Sequence, residues 1–195
     1  SCFISSDKSR SATTVYGAMK YVAGESFISN SNKSDVRLST AVYGNVLNST
    51  GSIIPLMWHS IKEGFSLSLY GEEMTRFFIN VENAIDLIEI GLKNDGYNVI
   101  PILHSMKVSD LFEIFKDEFG LQYSVSQPRS CEKIHEIMAS QDEVARMKKN
   151  DDHYLMHQTN IYDEVSFPNN QYSSEDCVID KNMLYSILKE KNFFK

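Results

Sequence analysis

Ser5-Ser6-Asp7-Lys8 and Tyr16-Gly17-Ala18-Met19-Lys20 are the two stretches that decide the fold of this 195-residue chain. The first follows an apolar run, Cys2-Phe3-Ile4, which predicts the end of a buried β-strand. The second opens a predicted helix. Residues four apart share a helix face, so Tyr16 and Lys20 are expected to point toward the same ligand. The sequence therefore predicts hydroxyl, carboxylate, amine and phenol groups gathered where a strand ends and a helix begins.

A tyrosine followed four residues later by a lysine has a specific chemical use. A free tyrosine has a pKa of about 10 and is a poor base at neutral pH. A nearby ammonium group or an oxidised nicotinamide lowers that pKa because both favour the phenolate. Helices carry this pair by chance, so the polar groups at the preceding strand end supply most of the specificity. The alternative interpretation is a solvated helix start behind an ordinary strand end.

The composition excludes several classes of protein. A hydrophobic content of 42% and a charged content of 23% are ordinary for a soluble globular chain. A net charge of −7 argues against a general nucleic-acid binder, which needs a positive surface. Apolar runs are too short for a membrane span and no secretory signal is present, so a cytoplasmic protein without membrane contact is expected. The three cysteines and five histidines lack metal-ligand spacing, which predicts reduced thiols and no metal site.

Hydrophobic periodicity predicts the remaining elements. The expected strands cover 36–43, 65–70, 97–102, 121–125 and 154–162. The expected helices cover 53–62, 81–92, 109–118 and 180–191, with Ser109 as an N-cap and Gly120 as a helix end. Val15, Met19, Val22 and Phe27 recur at helical spacing and predict an amphipathic helix. Residues 129–136 are expected to form a charged turn that enters a short helix, and 139–152 to lie at the surface.

The sequence contains no Gly-x-x-Gly-x-x-Gly turn. A dinucleotide-binding fold normally begins with such a turn, where the pyrophosphate meets a helix N-terminus. We therefore expect the amino-terminal dinucleotide-binding half to be absent from this chain.

Separated motifs resemble those of nucleotide-sugar 4,6-dehydratases, which are extended short-chain dehydrogenases. They are Ser5-Ser6-Asp7-Lys8 with Tyr16-Gly17-Ala18-Met19-Lys20, Tyr43-Gly44-Asn45-Val46-Leu47, Gly51-Ser52-Ile53-Ile54-Pro55-Leu56, Met74-Thr75-Arg76-Phe77-Phe78, Arg129-Ser130-Cys131-Glu132-Lys133-Ile134-His135-Glu136 and Tyr172-Ser173-Ser174. Their order and approximate spacing agree over essentially the whole chain, and the sequence is most similar to the UDP-N-acetylglucosamine 4,6-dehydratase group. Members that invert C5 carry tyrosine at the position of Tyr16, whereas members that retain C5 tend to carry methionine. The resemblance therefore favours the inverting type.

The resemblance implies an α/β fold, namely the carboxyl-terminal part of an extended short-chain dehydrogenase. Its Rossmann-like parallel sheet would be accompanied by a small α/β substrate-binding region. Residues 1–105 are expected to form the catalytic half of the Rossmann-like domain with interleaved substrate-binding segments. Residues 106–195 are expected to form mainly the substrate-binding and carboxyl-terminal region.

The resemblance also implies a mechanism. NADP, or NAD in its place, would take a hydride from C4 of a UDP-sugar while Tyr16, aided by Lys20, removes the hydroxyl proton. Ser6 would hydrogen-bond the sugar. Lys8 would remove the C5 proton and Asp7 would assist the loss of the C6 hydroxyl as water, although these two roles are exchangeable. The hydride would then return to C6, so that the net change is loss of water.

The resemblance places the binding residues as well. Those expected at the cofactor are Tyr16, Lys20, Tyr43, Asn45 and Val46. Those expected at the substrate are Ser6, Asn45, Ser52, Arg76, Arg129 and Glu132. Arg76 and Arg129 would hold UDP phosphates or ribose through their fork of donors, and Glu132 would accept from ribose hydroxyls. A homo-oligomer is expected from the same resemblance.

Two alternative functions stay open. One is a truncated, non-catalytic remnant that acts as a sugar-nucleotide-binding or interaction module. The other is a different UDP-sugar enzyme, such as a 4-epimerase, against which the Asp7-Lys8 pair and the Arg-x-x-Glu-Lys turn count. Departures from the family pattern occur at Ala12, in the polar linker Ser9-Arg10-Ser11, and at Val42, Thr50 and Ser130-Cys131. They are expected to loosen loops around the nucleotide, and they leave the exact sugar open.

Overall fold

The computed structural model describes residues 1–33 and 35–194. The strands are β1 (Cys2–Ser6), β2 (Ser39–Tyr43), β3 (Asn45–Val46), β4 (Leu67–Tyr70), β5 (Thr75–Ile79), β6 (Tyr97–Pro101), β7 (Ser105–Lys107), β8 (Tyr123–Ser126), β9 (Ile137–Ala139), β10 (Met147–Lys149), β11 (His153–His157) and β12 (Tyr172–Ser173). The α-helices are α1 (Val15–Ile28), α2 (Ile53–Glu63), α3 (Val81–Lys93), α4 (Val108–Phe119), α5 (Gln141–Val144) and α6 (Lys181–Glu190). Strands and helices therefore alternate through much of the chain, as the α/β prediction requires.

A five-stranded sheet in the order β1-β2-β6-β11-β10 carries the predicted strand end. β1, β2 and β6 run parallel, with α1 and α3 among the segments that connect them, whereas β11 and β10 add antiparallel. Parallel strands need such crossover connections, and their carboxyl ends meet at one edge of the sheet. Ser6 and Tyr43 are register partners at that edge. The topology thus places the end of β1 beside the Tyr43-Gly44-Asn45 segment.

The prediction that β1 is buried is wrong for this structure. β1 is the outermost strand at one side of the sheet and pairs only with β2 within the described residues. As a result, Ile4 is 44% exposed and Cys2 and Phe3 are only partly buried. An apolar run predicts a strand, but the number of neighbours that cover it depends on the rest of the sheet.

The apolar residues predicted at helical spacing on α1 are mostly exposed, although Phe27 packs on Phe3 of β1. Val15, Met19 and Val22 are 77%, 67% and 61% exposed. The buried positions of α1 are instead Gly17, Gly24 and Ile28. Because two of these are glycines, the backbone of the helix lies close against β1 and its turn, and Val15, Met19 and Val22 remain exposed.

A second region of the fold forms beside the sheet. It contains the three-stranded sheet β3-β5-β7, the parallel pair β4-β8 and the helices α2, α4 and α6. Its core is rich in Leu, Ile and Phe from these helices. Trp58 packs on Phe115 and Phe119 and donates its Nε1–H to the carbonyl of Phe193 at 3.0 Å. Trp58 therefore has a packing position in this core.

Most predicted elements are confirmed within a few residues. The strands at 65–70, 97–102 and 121–125 correspond to β4, β6 and β8, and the helices at 53–62, 81–92 and 180–191 correspond to α2, α3 and α6. Gly120 ends α4 in a left-handed conformation at φ 71°, as predicted. The N-cap of α4 is Lys107, however, and the Ser109 hydroxyl instead donates to the carbonyl of Glu72.

The remaining predictions differ from the structure where long-range contacts decide. β2 begins at Ser39 and β11 ends at His157, so both are shorter than expected. Residues 129–136 form no helix but an extended turn, because this segment bridges to Thr75 at His135. The charged 139–152 segment buries Glu143, Val144 and Met147 and so is not simply surface. In each case the outcome is fixed by partners that are remote in sequence.

Candidate active site

The end of β1 is a compact polar turn. Asp7–Ser9 form a single 3₁₀ turn, in which the Ser6 hydroxyl donates to Asp7 Oδ1 at 2.9 Å and accepts from the Lys8 backbone N–H at 3.3 Å. Lys8 Nζ donates to the same Asp7 oxygen at 3.1 Å. Asp7 is fully buried, whereas the Lys8 side chain is 38% exposed. Adjacent residues thus present a hydroxyl, a carboxylate and an ammonium at one point.

Helix α1 brings the tyrosine–lysine pair to this turn. Thr14 caps the helix by accepting from the backbone N–H of Gly17 at 3.1 Å. Lys20 Nζ donates to the carbonyl of Ile4 at 3.0 Å, which ties the helix to β1. Tyr16 lies one turn earlier and is 56% exposed. The pair therefore stands at the carboxyl edge of the parallel strands.

Tyr43 and Asn45 lie on the neighbouring strand end. Burial raises the pKa of Tyr43, and the nearby Cys2 and Tyr16 add to that effect. Asn45 is exposed at the start of β3. Val46 follows Asn45 in β3, directly after the end of β2.

Glu136 completes the charge arrangement around Asp7 and Lys8. It is 4% exposed, and its Oε1 lies 3.5 Å from Lys8 Nζ. Burial raises the pKa of Asp7, and the charge of Glu136 adds to this against the opposing effect of Lys8. Burial lowers the pKa of Lys8, but the Asp7 and Glu136 carboxylates outweigh it, and the net pKa is raised. The ammonium form of Lys8 is therefore favoured.

A cavity of about 330 Å³ opens between α2, α4, β4 and the 129–132 turn. Its lining includes five of the six residues expected at the substrate, namely Asn45, Ser52, Arg76, Arg129 and Glu132. Asn45 was also expected at the cofactor, as was Val46, which lines the cavity too. Ser6, the remaining expected substrate residue, lies outside this lining, at the end of β1. A cavity of this size is typical of small-molecule sites.

Arg76 fixes one wall of the cavity. Its guanidinium donates to the carbonyls of Thr75, Lys133 and Ile134 at 2.8, 3.0 and 3.1 Å. It also pairs with Glu132 at 3.5 Å and with Glu136 at 3.8 Å. Arg76 therefore anchors the 132–134 segment through most of its donors while it lines the cavity.

Arg129 also lines the cavity and lies over an aromatic ring. Its guanidinium carbon is 4.0 Å from the centre of the Tyr70 ring, a cation–π arrangement. A hydrogen bond from Arg129 lowers the pKa of Tyr70. The sequence did not single out Tyr70, because its partner is remote along the chain.

A chain of hydrogen bonds unites three of the sequence motifs. Thr75 Oγ1 lies 2.9 Å from His135 Nδ1 and 2.6 Å from Ser174 Oγ. Ser174 also binds the backbone of Glu136 from both sides. The Met-Thr-Arg, His-Glu and Tyr-Ser-Ser motifs are therefore parts of one structure. His135 has a hydrogen-bonding position in it.

Among the described residues, no cluster of three or more His, Cys, Asp or Glu side chains has the arrangement of a metal site. In the same part of the chain, no helix has the length and hydrophobicity needed to cross a membrane.

The parallel strands with the Tyr–Lys helix at their carboxyl edge define the class of this protein: it has the Rossmann-like fold of the extended short-chain dehydrogenases. Residues 1–158 match the model of the family described as "Polysaccharide biosynthesis protein". The chain belongs to this family.

Individual relatives agree with this assignment. The inverting UDP-N-acetylglucosamine 4,6-dehydratase of Campylobacter jejuni serotype O:2 is 32% identical over 146 residues, which cover 72% of this chain and 43% of that protein. An uncharacterized membrane protein of Methanocaldococcus jannaschii, MJ1061, is 29% identical over 97% of this chain and 61% of its own length. The resemblance to the dehydratase group is thereby confirmed, and the chain spans about half the length of these curated relatives.

A solved structure shares the fold closely. The X-ray structure of Pen from Bacillus thuringiensis superposes with a TM-score of 0.89 at 23% identity. The superposition covers 98% of this chain and 62% of that one. Both the sheet and the second region therefore belong to one known arrangement.

Proposed function

We propose that this chain carries the catalytic and UDP-sugar-binding residues of an NADP-dependent nucleotide-sugar 4,6-dehydratase that inverts C5. The family, the dehydratase relatives and the tyrosine at position 16 support this proposal. UDP-N-acetylglucosamine is the substrate named for the Campylobacter relative and is the one to test first.

One observation carries the proposal: a continuous set of ion pairs connects the cavity to the turn at the end of β1. Arg76 pairs with Glu132 in the cavity wall and with Glu136 behind it, and Glu136 pairs with Lys8. A sugar nucleotide held by the arginines of the cavity would thus extend toward Asp7 and Lys8. Binding and acid–base groups share one electrostatic network.

The residues at the sheet edge fit the nicotinamide end of a dinucleotide. Tyr16 is exposed there beside Tyr43, Lys20 reaches the carbonyl of Ile4 in β1, and Asn45 is open to solvent. When bound, the nicotinamide supplies the hydride acceptor and donor. Tyr16 would remove the C4 hydroxyl proton, with Lys20 favouring its phenolate.

Asp7 and Lys8 would perform the other proton transfers, which are removal of the C5 proton and protonation of the departing C6 hydroxyl. Both lie within one turn of Ser6, whose hydroxyl would orient the sugar. Asp7 and Lys8 contact each other, so either one could act as the proton donor while the other acts as the proton acceptor.

The test is incubation of the full-length gene product that contains this chain with NADP and UDP-N-acetylglucosamine in D₂O, followed by mass spectrometry of the sugar nucleotide. We expect a product that has lost one water and gained deuterium at C5. Tyr16→Phe is expected to lower the rate about 100-fold or more. Tyr21→Phe, on the same helix, is the matched control and should keep the wild-type rate.

Other outcomes identify the alternatives. A product of unchanged mass with an altered C4 configuration would make the chain an epimerase. Binding of UDP-N-acetylglucosamine without any turnover would indicate a binding module. The exposed apolar residues Val15, Met19 and Val22 of α1 also fit an interaction module. Cytoplasmic location, assembly as a homo-oligomer and the division at residue 105 stay predictions of the same proposal.

A further inference from the structure

Glu136 is a buried carboxylate to which none of the steps above gives a chemical part. Its backbone N–H donates to Ser174 Oγ at 2.9 Å, and its carbonyl accepts from the Ser174 backbone N–H at 2.9 Å. Ser174 is itself fully buried. The backbone that carries the Glu136 side chain is therefore fixed on both sides.

The Glu136 carboxylate faces three cations. Oε1 lies 3.5 Å from Lys8 Nζ and 3.8 Å from Arg76 Nε, and Oε2 lies 3.6 Å from Lys133 Nζ. Lys133 is held by the carbonyl of Arg10, and Arg76 by the carbonyls described above. The side chains of these two are 11% exposed, against 38% for Lys8. Lys8 is the cation of this group with access to a ligand.

Asp7 lies on the other side of the Lys8 ammonium, at 3.1 Å. Within the described residues, neither Asp7 Oδ2 nor Glu136 Oε2 has a hydrogen-bond partner, although both atoms are buried. Each carboxylate therefore depends on the shared ammonium and the fixed cations for compensation of its charge. Removal of the Lys8 proton would leave two buried carboxylates facing a neutral amine.

We propose that Glu136 is a positioning residue that acts through Lys8: together with Asp7 it keeps Lys8 an ammonium ion in the free protein. In the dehydration proposed above, on which this consequence rests, Lys8 then enters as the proton donor to the departing C6 hydroxyl. Asp7, which is fully buried, holds the same ammonium from its other side. Glu136 thereby favours the assignment in which Lys8 is the proton donor.

The test measures Lys8 directly and needs neither cofactor nor sugar. Competitive labelling with acetic anhydride between about pH 7 and pH 12, read out by peptide mass spectrometry, gives the midpoint at which Lys8 becomes reactive. In the wild type we expect a midpoint above about 10.4, the ordinary value for lysine. Glu136→Gln should lower that midpoint by about one pH unit, since it removes one opposite charge.

Two further variants make the result specific. Glu136→Asp keeps the charge and should restore most of the midpoint. Glu175→Gln changes an exposed carboxylate that pairs with His135 and should leave Lys8 as in the wild type. Circular dichroism checks that each variant is folded.

An unchanged Lys8 midpoint in folded Glu136→Gln would overturn the inference, and so would a wild-type midpoint below the ordinary lysine value. The latter measurement needs no variant. A shifted midpoint without dehydratase activity would refute only the proposed function. Dehydration with an unshifted midpoint would refute only the role of Glu136.

Discussion

Asp7 holds a carboxylate where water cannot reach it, and burial raises its pKa above the ordinary value. Such a group binds its proton more tightly in the folded state, so its contribution to stability falls as pH rises above about 4. Asp7→Asn does not titrate. We therefore expect the melting temperature of Asp7→Asn, relative to that of the wild type, to rise between about pH 4 and pH 7. Each unit by which folding raises the pKa of Asp7 changes the unfolding free energy by about 1.4 kcal/mol.

Thermal unfolding followed by circular dichroism over this pH range tests the sign. Asp152→Asn is the control of opposite direction, because a hydrogen bond from His153 lowers the pKa of Asp152. The stabilising contribution of the Asp152 carboxylate is present above about pH 4 and is lost as pH falls. The melting temperature of Asp152→Asn, relative to that of the wild type, should therefore fall as pH rises. If the melting temperature of Asp7→Asn, relative to that of the wild type, fell as pH rose, burial would not raise the pKa of Asp7.

At the scale of single residues, the sequence predicts those contacts that follow from adjacency along the chain. Ser6, Asp7 and Lys8 meet because consecutive residues in a tight turn share one location. Glu136 and Tyr70 are partners of Lys8 and Arg129, respectively, only because remote segments fold against the turn and the cavity wall. No local pattern distinguishes Glu136 from a solvated glutamate, and its burial becomes evident only in the structure.

At the scale of elements, the approach of α1 to β1 depends on Gly17. A Cβ atom placed there would lie 2.1 Å from the Lys8 carbonyl oxygen, a backbone atom that cannot move alone. At Gly24 a Cβ would lie 3.6 Å from the Phe3 ring, which is ordinary contact. The two glycines occupy the same helix and the same buried face but meet different neighbours.

This difference gives a matched pair of variants. Gly24→Ala should raise stability by up to about 1 kcal/mol, since alanine is the better helix former. Gly17→Ala should lower it by about 1–3 kcal/mol, because relief of the overlap moves α1 off the Lys8 turn. Urea unfolding gives both values, and equal effects of the two substitutions would contradict this account of the helix.

The same contact explains why the apolar spacing predicts the helix but does not identify the positions that meet the sheet. Gly17 and Gly24 lie buried there, whereas Val15, Met19 and Val22 are exposed. Hydrophobic spacing identifies the core face only where that face is covered by side-chain packing. Here close backbone approach decides the orientation.

At the scale of the whole molecule, the motifs predict which residues share a site better than they predict how the strands pair. The five cavity-lining residues expected at the substrate come from separated segments, and only the family resemblance could bring them together before the structure. The antiparallel return of β11 and β10 to the sheet has no signal in hydrophobic periodicity, because periodicity carries no information on pairing partners.

Arg10 is the residue that ties these separate parts together. Its side chain is 2% exposed and donates to Glu143 of α5 at 2.5 Å, to Asn98 of β6 at 3.1 Å and to Glu25 of α1 at 3.3 Å. The turn after β1 is therefore locked to two helices and the middle of the sheet.

Loss of one partner from a buried ion pair leaves the other charge uncompensated, so Arg10→Met should cost about 3–5 kcal/mol of unfolding free energy. Arg37→Met, at an exposed position, should change it by no more than about 0.5 kcal/mol. Adding Glu143→Gln to Arg10→Met removes the stranded charge but keeps an acceptor for the Ser140 cap, and it should recover part of the loss. Urea unfolding of all four proteins measures this. If the double variant is no more stable than Arg10→Met alone, the cost lies in lost packing of the Arg10 side chain and not in the charge of Glu143.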